Sequence, residues 1–153
     1  MIKYTDVRVI FGEVPDKIAL GINVSNCPNH CIGCHSPELR KNIGNELTDS
    51  KLDELITSHE DIDCVCFMGE GRDITRLSHL ISLVKDKYGI STCLYTGSDE
   101  FDESVFNGKL DFIKIGHYDE KVGPLNKETT NQRMYRLEGG KRIDVTSWFW
   151  KKI

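Results

Sequence analysis

Residues 63–95 read DCVCFMGEGRDITRLSHLISLVKDKYGISTCLY, and this stretch decides the fold class. It begins with an apolar run over 63–68, which a glycine-rich turn closes. Apolar side chains then recur at helical spacing from Ile74 to Val84, and residues 91–95 form a second apolar run. A strand, a helix of roughly ten residues and another strand are typical of a right-handed βαβ unit with parallel strands.

The segments on either side continue this alternation. The predicted elements are a strand at 18–24, a helix that is capped by residues 48–50 and ends near residue 58, a helix that starts near residue 99, and a strand at 110–115. Residues 134–138 and 142–146, joined by Gly139-Gly140, predict a hairpin at the sheet edge. We therefore expect an α/β fold with a mainly parallel sheet, a C-terminal hairpin, and too few βα units to close an eight-stranded barrel.

The composition is that of one globular domain, which we expect to span residues 1–153. The chain has 39% hydrophobic and 29% charged residues and only four prolines, which argues against a long disordered or coiled-coil chain. The sequence shows neither a signal peptide nor an apolar run of about eighteen residues that would cross a membrane. The expected location is therefore the cytoplasm, with no membrane partner.

Charge is distributed unevenly along the chain. The net charge of −4 argues against a nucleic-acid partner. Residues 1–120 carry 12 basic and 21 acidic groups, a net −9, whereas residues 121–153 carry 8 basic and 3 acidic groups, a net +5. The basic segment is interpreted either as an ordinary solvated face or as a docking surface for an acidic partner.

Three of the six cysteines fall within eight residues, as Cys27-Pro-Asn-His-Cys31-Ile-Gly-Cys34. This C-x3-C-x2-C spacing directly follows the first predicted parallel strand. Ligands of open α/β sheets bind outside the carboxyl ends of such strands, so the loop lies where a functional site is expected. Three thiolates can hold three corners of a [4Fe–4S] cluster and leave the fourth iron open.

The other cysteines and two histidines bear on whether a fourth ligand exists. Cys64, Cys66 and Cys93 lie within apolar runs, where a thiol usually behaves as a small buried hydrophobic side chain. We expect these three residues in the core. His30 or His35 would instead complete a Cys3His zinc site, and the spacing alone leaves that alternative open.

The cysteine motif resembles that of the radical S-adenosylmethionine (SAM) superfamily. Members usually carry an aromatic residue just before the last cysteine, and here that position is Gly33. Glycine there, followed by a Cys-His pair, is similar to the activating proteins of anaerobic (class III) ribonucleoside-triphosphate reductase. Residues 94–97, 129–135 and 144–150 also resemble that family, so the similarity covers nearly the whole chain.

The resemblance implies a truncated radical-SAM (βα) partial barrel with two cofactors, a [4Fe–4S] cluster and SAM. The implied cluster ligands are Cys27, Cys31 and Cys34, and the open iron would chelate the amino and carboxylate groups of SAM. The superfamily's Gly-Gly-Glu-like turn reads Gly69-Glu70-Gly71 here, with the acid shifted by one position, so we expect contact through its backbone. The implied SAM-binding residues are Gly69, Glu70, Gly71, Tyr95, Thr96, Lys114 and Asn131.

The resemblance also implies an activity. A reduced cluster would pass one electron to SAM, which breaks into methionine and a 5′-deoxyadenosyl radical. That radical would take a hydrogen atom from a glycine of the reductase large subunit, so the substrate is a protein and the product a glycyl radical. The implied electron donor is a flavodoxin-like protein, and no side chain is expected to act as a catalytic group beyond the cluster and SAM.

Two other functions remain open from the sequence. The same motif fits a radical SAM enzyme with another substrate, either a different glycyl-radical enzyme or a small molecule such as a deazaguanine precursor. A binding module of a different class, in which zinc holds the cysteine loop in place, fits the spacing alone.

Overall fold

One eight-stranded sheet organises residues 1–26 and 41–150, which are the residues that the structure, a computed structural model, describes. The strands are β1 (Lys3–Ile10), β2 (Ala19–Val24), β3 (Asn45–Glu46), β4 (Cys64–Met68), β5 (Ser91–Tyr95), β6 (Phe112–Ile115), β7 (Arg133–Glu138) and β8 (Lys141–Asp144). Their order across the sheet is β3-β1-β2-β4-β5-β6-β7-β8.

Two helices and three shorter turns complete the described elements. The helices are α1 (Asp49–Thr57) and α2 (Ile74–Leu83), and α2 continues as one π-helical turn over Val84–Tyr88. Single 3-10 turns lie at Glu103–Phe106 and Thr146–Trp150. Among the described residues no helix is both long and apolar enough to cross a bilayer.

The centre of the sheet is parallel and its flanks are antiparallel. β2, β4, β5 and β6 run parallel to one another. The remaining four pairings are antiparallel. The α/β class and the C-terminal hairpin of β7 and β8 are confirmed, but the expected mainly parallel sheet is wrong. The reason is that β1 and β7 lie beside β2 and β6 through direct returns of the chain, without a crossover helix.

The two faces of the sheet carry different cores. One face packs against α1 and α2 through a large apolar cluster that includes Leu20, Phe67, Leu52 and Leu80. We call the opposite side the helix-free face; its buried residues are Ala19, Cys64, Cys66, Cys93, Phe112 and Met134. Val14 from the β1–β2 connection and Phe149 near the C-terminus pack against that face. The chain therefore covers the helix-free face with irregular segments.

The predicted helix boundaries agree with local capping chemistry. Thr48 caps α1 by accepting a hydrogen bond from the Lys51 backbone N–H at 3.0 Å, and Ser58 ends the helix. Asp73 caps α2 by accepting from the backbone N–H of Arg76 at 3.1 Å. Each cap satisfies a backbone donor that would otherwise lack a partner inside the first helical turn.

The helix expected to start near residue 99 is absent, and this prediction is wrong. Between β5 and β6 the structure has only the 3-10 turn over Glu103–Phe106. Asp102 caps this turn, and Asn107, at φ 53°, ends it after four residues. Phe106 is fully buried and stacks on Phe101 with 5.8 Å between ring centroids. A short turn therefore covers the core where a full helix was expected.

Candidate functional site

The carboxyl ends of β2, β4, β5 and β6 form one edge of the sheet, which we call the carboxyl edge. In the parallel register Asn23 lies beside Met68, Met68 beside Tyr95, and Tyr95 beside Lys114. These four residues therefore mark one line across the sheet, just before the strands end. Ligands of open parallel sheets bind beyond such a line.

The described residues on either side of the cysteine segment, Asn26 and Lys41, lie at this edge. Cys27, Cys31 and Cys34, the predicted cluster ligands, lie outside the described residues. On either side of the segment, the Asn26 backbone N–H donates to the Lys41 carbonyl at 2.8 Å. Arg72 Nε donates to Asn26 Oδ1 at 3.2 Å, which ties the end of β2 to the turn after β4.

The turn Gly69-Glu70-Gly71 follows β4 in a conformation that favours glycine. Gly69 has φ 117° and Gly71 has φ 63°. A Cβ at Gly69 would lie 3.0 Å from the Val24 carbonyl oxygen, and one at Gly71 would lie 3.1 Å from Ile2 Cδ1. Both glycines are thus needed for the turn to pack closely against β2 and the N-terminus, whatever it binds.

Glu70 joins the turn after β4 to the turn after β5. The Thr96 hydroxyl donates to Glu70 Oε1 at 2.6 Å, and the Ser98 hydroxyl donates to the same oxygen at 3.0 Å. Thr96 is fully buried, and its Oγ1 also accepts from the Ser98 backbone N–H at 3.1 Å. The Glu70 carboxylate and the Thr96 hydroxyl therefore have a positioning role, which the sequence pattern did not predict.

Tyr95, which is partly buried, and Lys114, which is buried, lie beside each other on the helix-free face. Lys114 Nζ lies 5.5 Å from the centroid of the Tyr95 ring and donates to the Gly116 carbonyl at 3.0 Å. Lys114 is only 7% exposed, which is rare for a lysine. The Tyr95 hydroxyl donates to the Glu13 carbonyl, and burial raises the pKa of Tyr95, so the phenol stays protonated. The edge thus holds a positive charge over an aromatic ring.

Asn131 belongs to a second, more exposed group beyond β6. Its Nδ2 donates to the His117 carbonyl at 3.1 Å, and His117 Nδ1 lies 2.7 Å from Asp99 Oδ1. The hydrogen bond from His117 lowers the pKa of Asp99. This group borders an open cavity of about 370 Å³ that Arg133 and Arg142 also line. Asn131 therefore lies at the carboxyl edge but apart from the Glu70 and Lys114 groups.

The cysteines predicted as core residues lie in the core. Cys64, Cys66 and Cys93 are fully buried on the helix-free face. Burial raises the pKa of Cys64 and of Cys93, so both thiols stay protonated. Within 1–26 and 41–150, no group of three or more His, Cys, Asp or Glu side chains is arranged to hold a metal ion.

A cavity of about 610 Å³ lies at the opposite end of the sheet. Its lining includes Lys17, Ser91 and Asp111, which precede β2, begin β5 and precede β6. The Asp111 carboxylate is already bound there by the Lys85 ammonium at 2.8 Å and by the Thr92 backbone N–H at 3.0 Å. We therefore place the candidate site at the carboxyl edge, where the described members of the predicted SAM-binding set lie.

Comparison with known proteins adds no assignment. No protein-family model, curated protein or solved structure matches this chain.

Proposed function

We propose that the chain is a radical SAM activating enzyme that generates a glycyl radical on anaerobic ribonucleoside-triphosphate reductase. The observation that carries the proposal is where the C-x3-C-x2-C segment leaves the described chain. Asn26, the residue before Cys27 in the sequence, lies at the carboxyl edge and accepts a hydrogen bond from Arg72, which directly follows the Gly69-Glu70-Gly71 turn. Lys114 lies at the same edge. In this proposal the parallel centre of the sheet, β2-β4-β5-β6, is the core of a truncated radical-SAM partial barrel.

The groups at the carboxyl edge fit the two proposed cofactors in kind. Cys27, Cys31 and Cys34 supply three thiolates, enough for a [4Fe–4S] cluster with one open iron. SAM carries an ammonium, a carboxylate and ribose hydroxyls. The backbone carbonyls of the glycine turn would accept hydrogen bonds from the ammonium of SAM, and the buried Lys114 ammonium suits an anionic or hydroxyl oxygen. When bound, the two cofactors would supply one-electron radical chemistry.

The described residues would orient the cofactors and exclude water. Glu70 holds the turns after β4 and β5 together through Thr96 and Ser98. The helix-free face below them is apolar and sulfur-rich, with Cys66 Sγ 3.4 Å from Met68 Sδ. An apolar face next to the bound cofactors would exclude water and so limit side reactions of a radical with solvent. No described side chain is assigned a proton-transfer step.

Anaerobic reconstitution tests this function. The protein should take up about four irons and four sulfides, and its electron paramagnetic resonance spectrum after reduction should change when SAM is added. With the reductase present, the reduced enzyme should produce a glycyl radical on the large subunit. One bound zinc and no sulfide would instead support the zinc-stabilised binding module. Cleavage of SAM without radical transfer to the reductase would favour a radical SAM enzyme with another substrate.

Association with the reductase should depend on exposed basic residues of the basic segment 121–153 in the β6–β7 connection. Lys121 and Lys127 are exposed in the β6–β7 connection, which begins at this edge. Reversing both to Glu should slow association several-fold and reduce its salt dependence. The reason is that exposed charges act mainly on the encounter of the two proteins, and their interactions are screened beyond about 10 Å at 0.1 M salt. Stopped-flow or surface-based association rates at two salt concentrations measure this effect.

Lys141→Glu is the matched control for the single variants Lys121→Glu and Lys127→Glu, because each of the three replaces one lysine with one glutamate. β7 runs away from the carboxyl edge, since Arg133 pairs with Ile115 and Arg136 pairs with Phe112. Lys141 therefore lies at the opposite end of the sheet. Its neighbour Arg142 is unsuitable, because its guanidinium binds the Glu103 carboxylate at 2.6 and 2.7 Å. Slowing in Lys141→Glu equal to that in Lys121→Glu or Lys127→Glu would mean that net charge, and not a surface at the carboxyl edge, governs association.

A further inference from the structure

Gln132 places a buried amide at the carboxyl edge. Gln132 is 7% exposed, and its Nε2 donates to the Gly116 carbonyl at 3.3 Å. In the part of the chain that the structure describes, no group donates a hydrogen bond to its Oε1. A buried acceptor without a partner lowers stability, so most such groups in folded proteins have one. The missing donor points to a ligand.

The Gly116 carbonyl fixes how this amide is oriented. Lys114 Nζ also donates to that oxygen, at 3.0 Å, so the lysine and glutamine head groups meet at one atom. Gly116 has φ 119°, and a Cβ there would lie 3.0 Å from Gln132 Cα. Only glycine permits this close approach. Because Nε2 is held by the carbonyl, Oε1 is the end of the amide that remains to accept a hydrogen bond.

The side chains of the two residues next to Gln132 in the sequence contact other groups and not the Gly116 carbonyl. Asn131 donates to the His117 carbonyl, and the Arg133 guanidinium lies 3.7 Å from the Asp144 carboxylate and over the Trp150 ring. Met134, two residues after Gln132, pairs with Lys114 and is buried on the helix-free face. Of residues 131–133, Gln132 is therefore the one whose polar group is buried beside Lys114.

The position of Gln132 across the sheet indicates which part of SAM it would contact. In the proposed function the amino-acid end of SAM would bind the open iron of a cluster whose first ligand, Cys27, follows the last residue of β2 by three residues in the sequence. β6 is the third strand beyond β2, and neighbouring strands lie about 4.8 Å apart, so the two strand ends are roughly 14 Å apart. Gln132, beside the end of β6, is thus positioned for the nucleoside end. The hydrogen-bond donors of that end are the two ribose hydroxyls and the adenine amino group.

We infer that Gln132 determines specificity for the nucleoside of SAM by accepting a hydrogen bond from it through Oε1. The inference rests on the proposed function and adds to it the residue that recognises the nucleoside. The candidate groups of the nucleoside are all O–H or N–H donors, and the test identifies which of them Gln132 binds.

The test measures binding by calorimetry on cluster-loaded protein, for the wild type and for Gln132→Leu. The ligands are SAM and three analogues that lack the 2′-hydroxyl, the 3′-hydroxyl or the adenine amino group. Gln132→Leu should weaken SAM binding about tenfold, the usual effect of one lost hydrogen bond. One analogue should bind the wild type about tenfold more weakly than SAM does and should bind both proteins equally, which identifies the donor.

Stability without ligand separates recognition from a structural role. Gln132→Leu removes an unpartnered buried acceptor, so it should not lower the midpoint of thermal unfolding. Gln132→Met, which keeps the side-chain length, serves if the leucine variant does not fold. Glu128→Ala, at an exposed position in the same connection, is the control and should bind SAM like the wild type.

Two results would overturn the inference. If Gln132→Leu and the wild type bind SAM equally, Gln132 does not recognise the nucleoside, and the proposed function is unaffected. If cluster-loaded wild-type protein does not bind SAM at all, the proposed function and this inference fail together.

Discussion

Alanine at Cys27, Cys31 or Cys34 should abolish SAM cleavage, whereas alanine at Cys64 should leave it largely intact. Loss of one thiolate leaves two ligands for a [4Fe–4S] cluster, which is too few to retain it with one iron open for SAM. Each of the three variants should therefore lose most of its iron and sulfide together with all detectable 5′-deoxyadenosine production. Iron, sulfide and product are measured on anaerobically reconstituted protein.

Cys64→Ala is the control because it changes a buried thiol of a different kind. Cys64 begins β4, at the end of the strand away from the carboxyl edge, and is fully buried. Its replacement should lower the free energy of unfolding by on the order of 1 kcal/mol through lost packing, with cleavage retained. Similar loss of iron and cleavage in the control and in the Cys27, Cys31 and Cys34 variants, at similar stability, would contradict the ligand assignment.

The sequence predicts the centre of this fold because the relevant signals are local. In residues 63–95 the apolar run, the glycine turn and the helical spacing all follow from neighbouring residues, and β4, α2 and β5 lie where those signals place them. The caps at Thr48 and Asp73 are also local, since each side chain bonds to a backbone group three residues ahead.

β1 could not be predicted from an alternation of apolar and polar residues, because a bulge interrupts its pairing register with β2. Tyr4 pairs with Val24 and Val7 pairs with Ile22, so the register shifts near Thr5. As a result Tyr4 and Val7, three residues apart, both pack against the helix-covered core. Strict alternation would place residues three apart on opposite faces. The pattern therefore looks like neither a strand nor a helix.

The sequence indicated that most of the predicted SAM-binding residues share one edge of the sheet, but not how they contact one another. Six of the seven lie at the carboxyl ends of β4, β5 and β6, which meet at one edge of a parallel sheet, and Asn131 reaches that edge just before β7. The hydrogen bonds from Thr96 and Ser98 to Glu70 join two turns, and the bonded residues are 26 and 28 positions apart in the chain. Such contacts depend on the strand register, which no local pattern specifies. The burial of Gln132 likewise depends on how closely β7 approaches Gly116.

Gly71→Ala should weaken SAM binding at least tenfold, and Gly89→Ala should leave it unchanged. Both glycines have nearly the same backbone angle, φ 63° and φ 65°, so alanine imposes a similar local strain of about 1 kcal/mol in each. Gly89 ends the helical segment with nothing within 4 Å of an added Cβ, whereas a Cβ at Gly71 would lie 3.1 Å from Ile2 Cδ1 and 3.3 Å from Val24 Cγ1. Alanine at Gly71 therefore requires the Ile2 and Val24 side chains or the turn itself to move by a few tenths of an ångström. Equal SAM affinity in the two variants, measured by calorimetry, would remove this turn from the site.

Two substitutions of Glu70 test how the same turn contributes to SAM binding, because they separate the effect of its charge from that of its hydrogen bonds. Glu70→Gln keeps Oε1 as an acceptor for the Thr96 and Ser98 hydroxyls and removes the negative charge. Glu70→Ala removes both and leaves the buried Thr96 hydroxyl without that partner. If Glu70 positions the two turns, SAM affinity should stay within about threefold of wild type in Glu70→Gln and fall roughly tenfold in Glu70→Ala. If the carboxylate itself binds the ammonium of SAM, calorimetry should show the same large loss in both variants, and the backbone of the turn would no longer explain recognition.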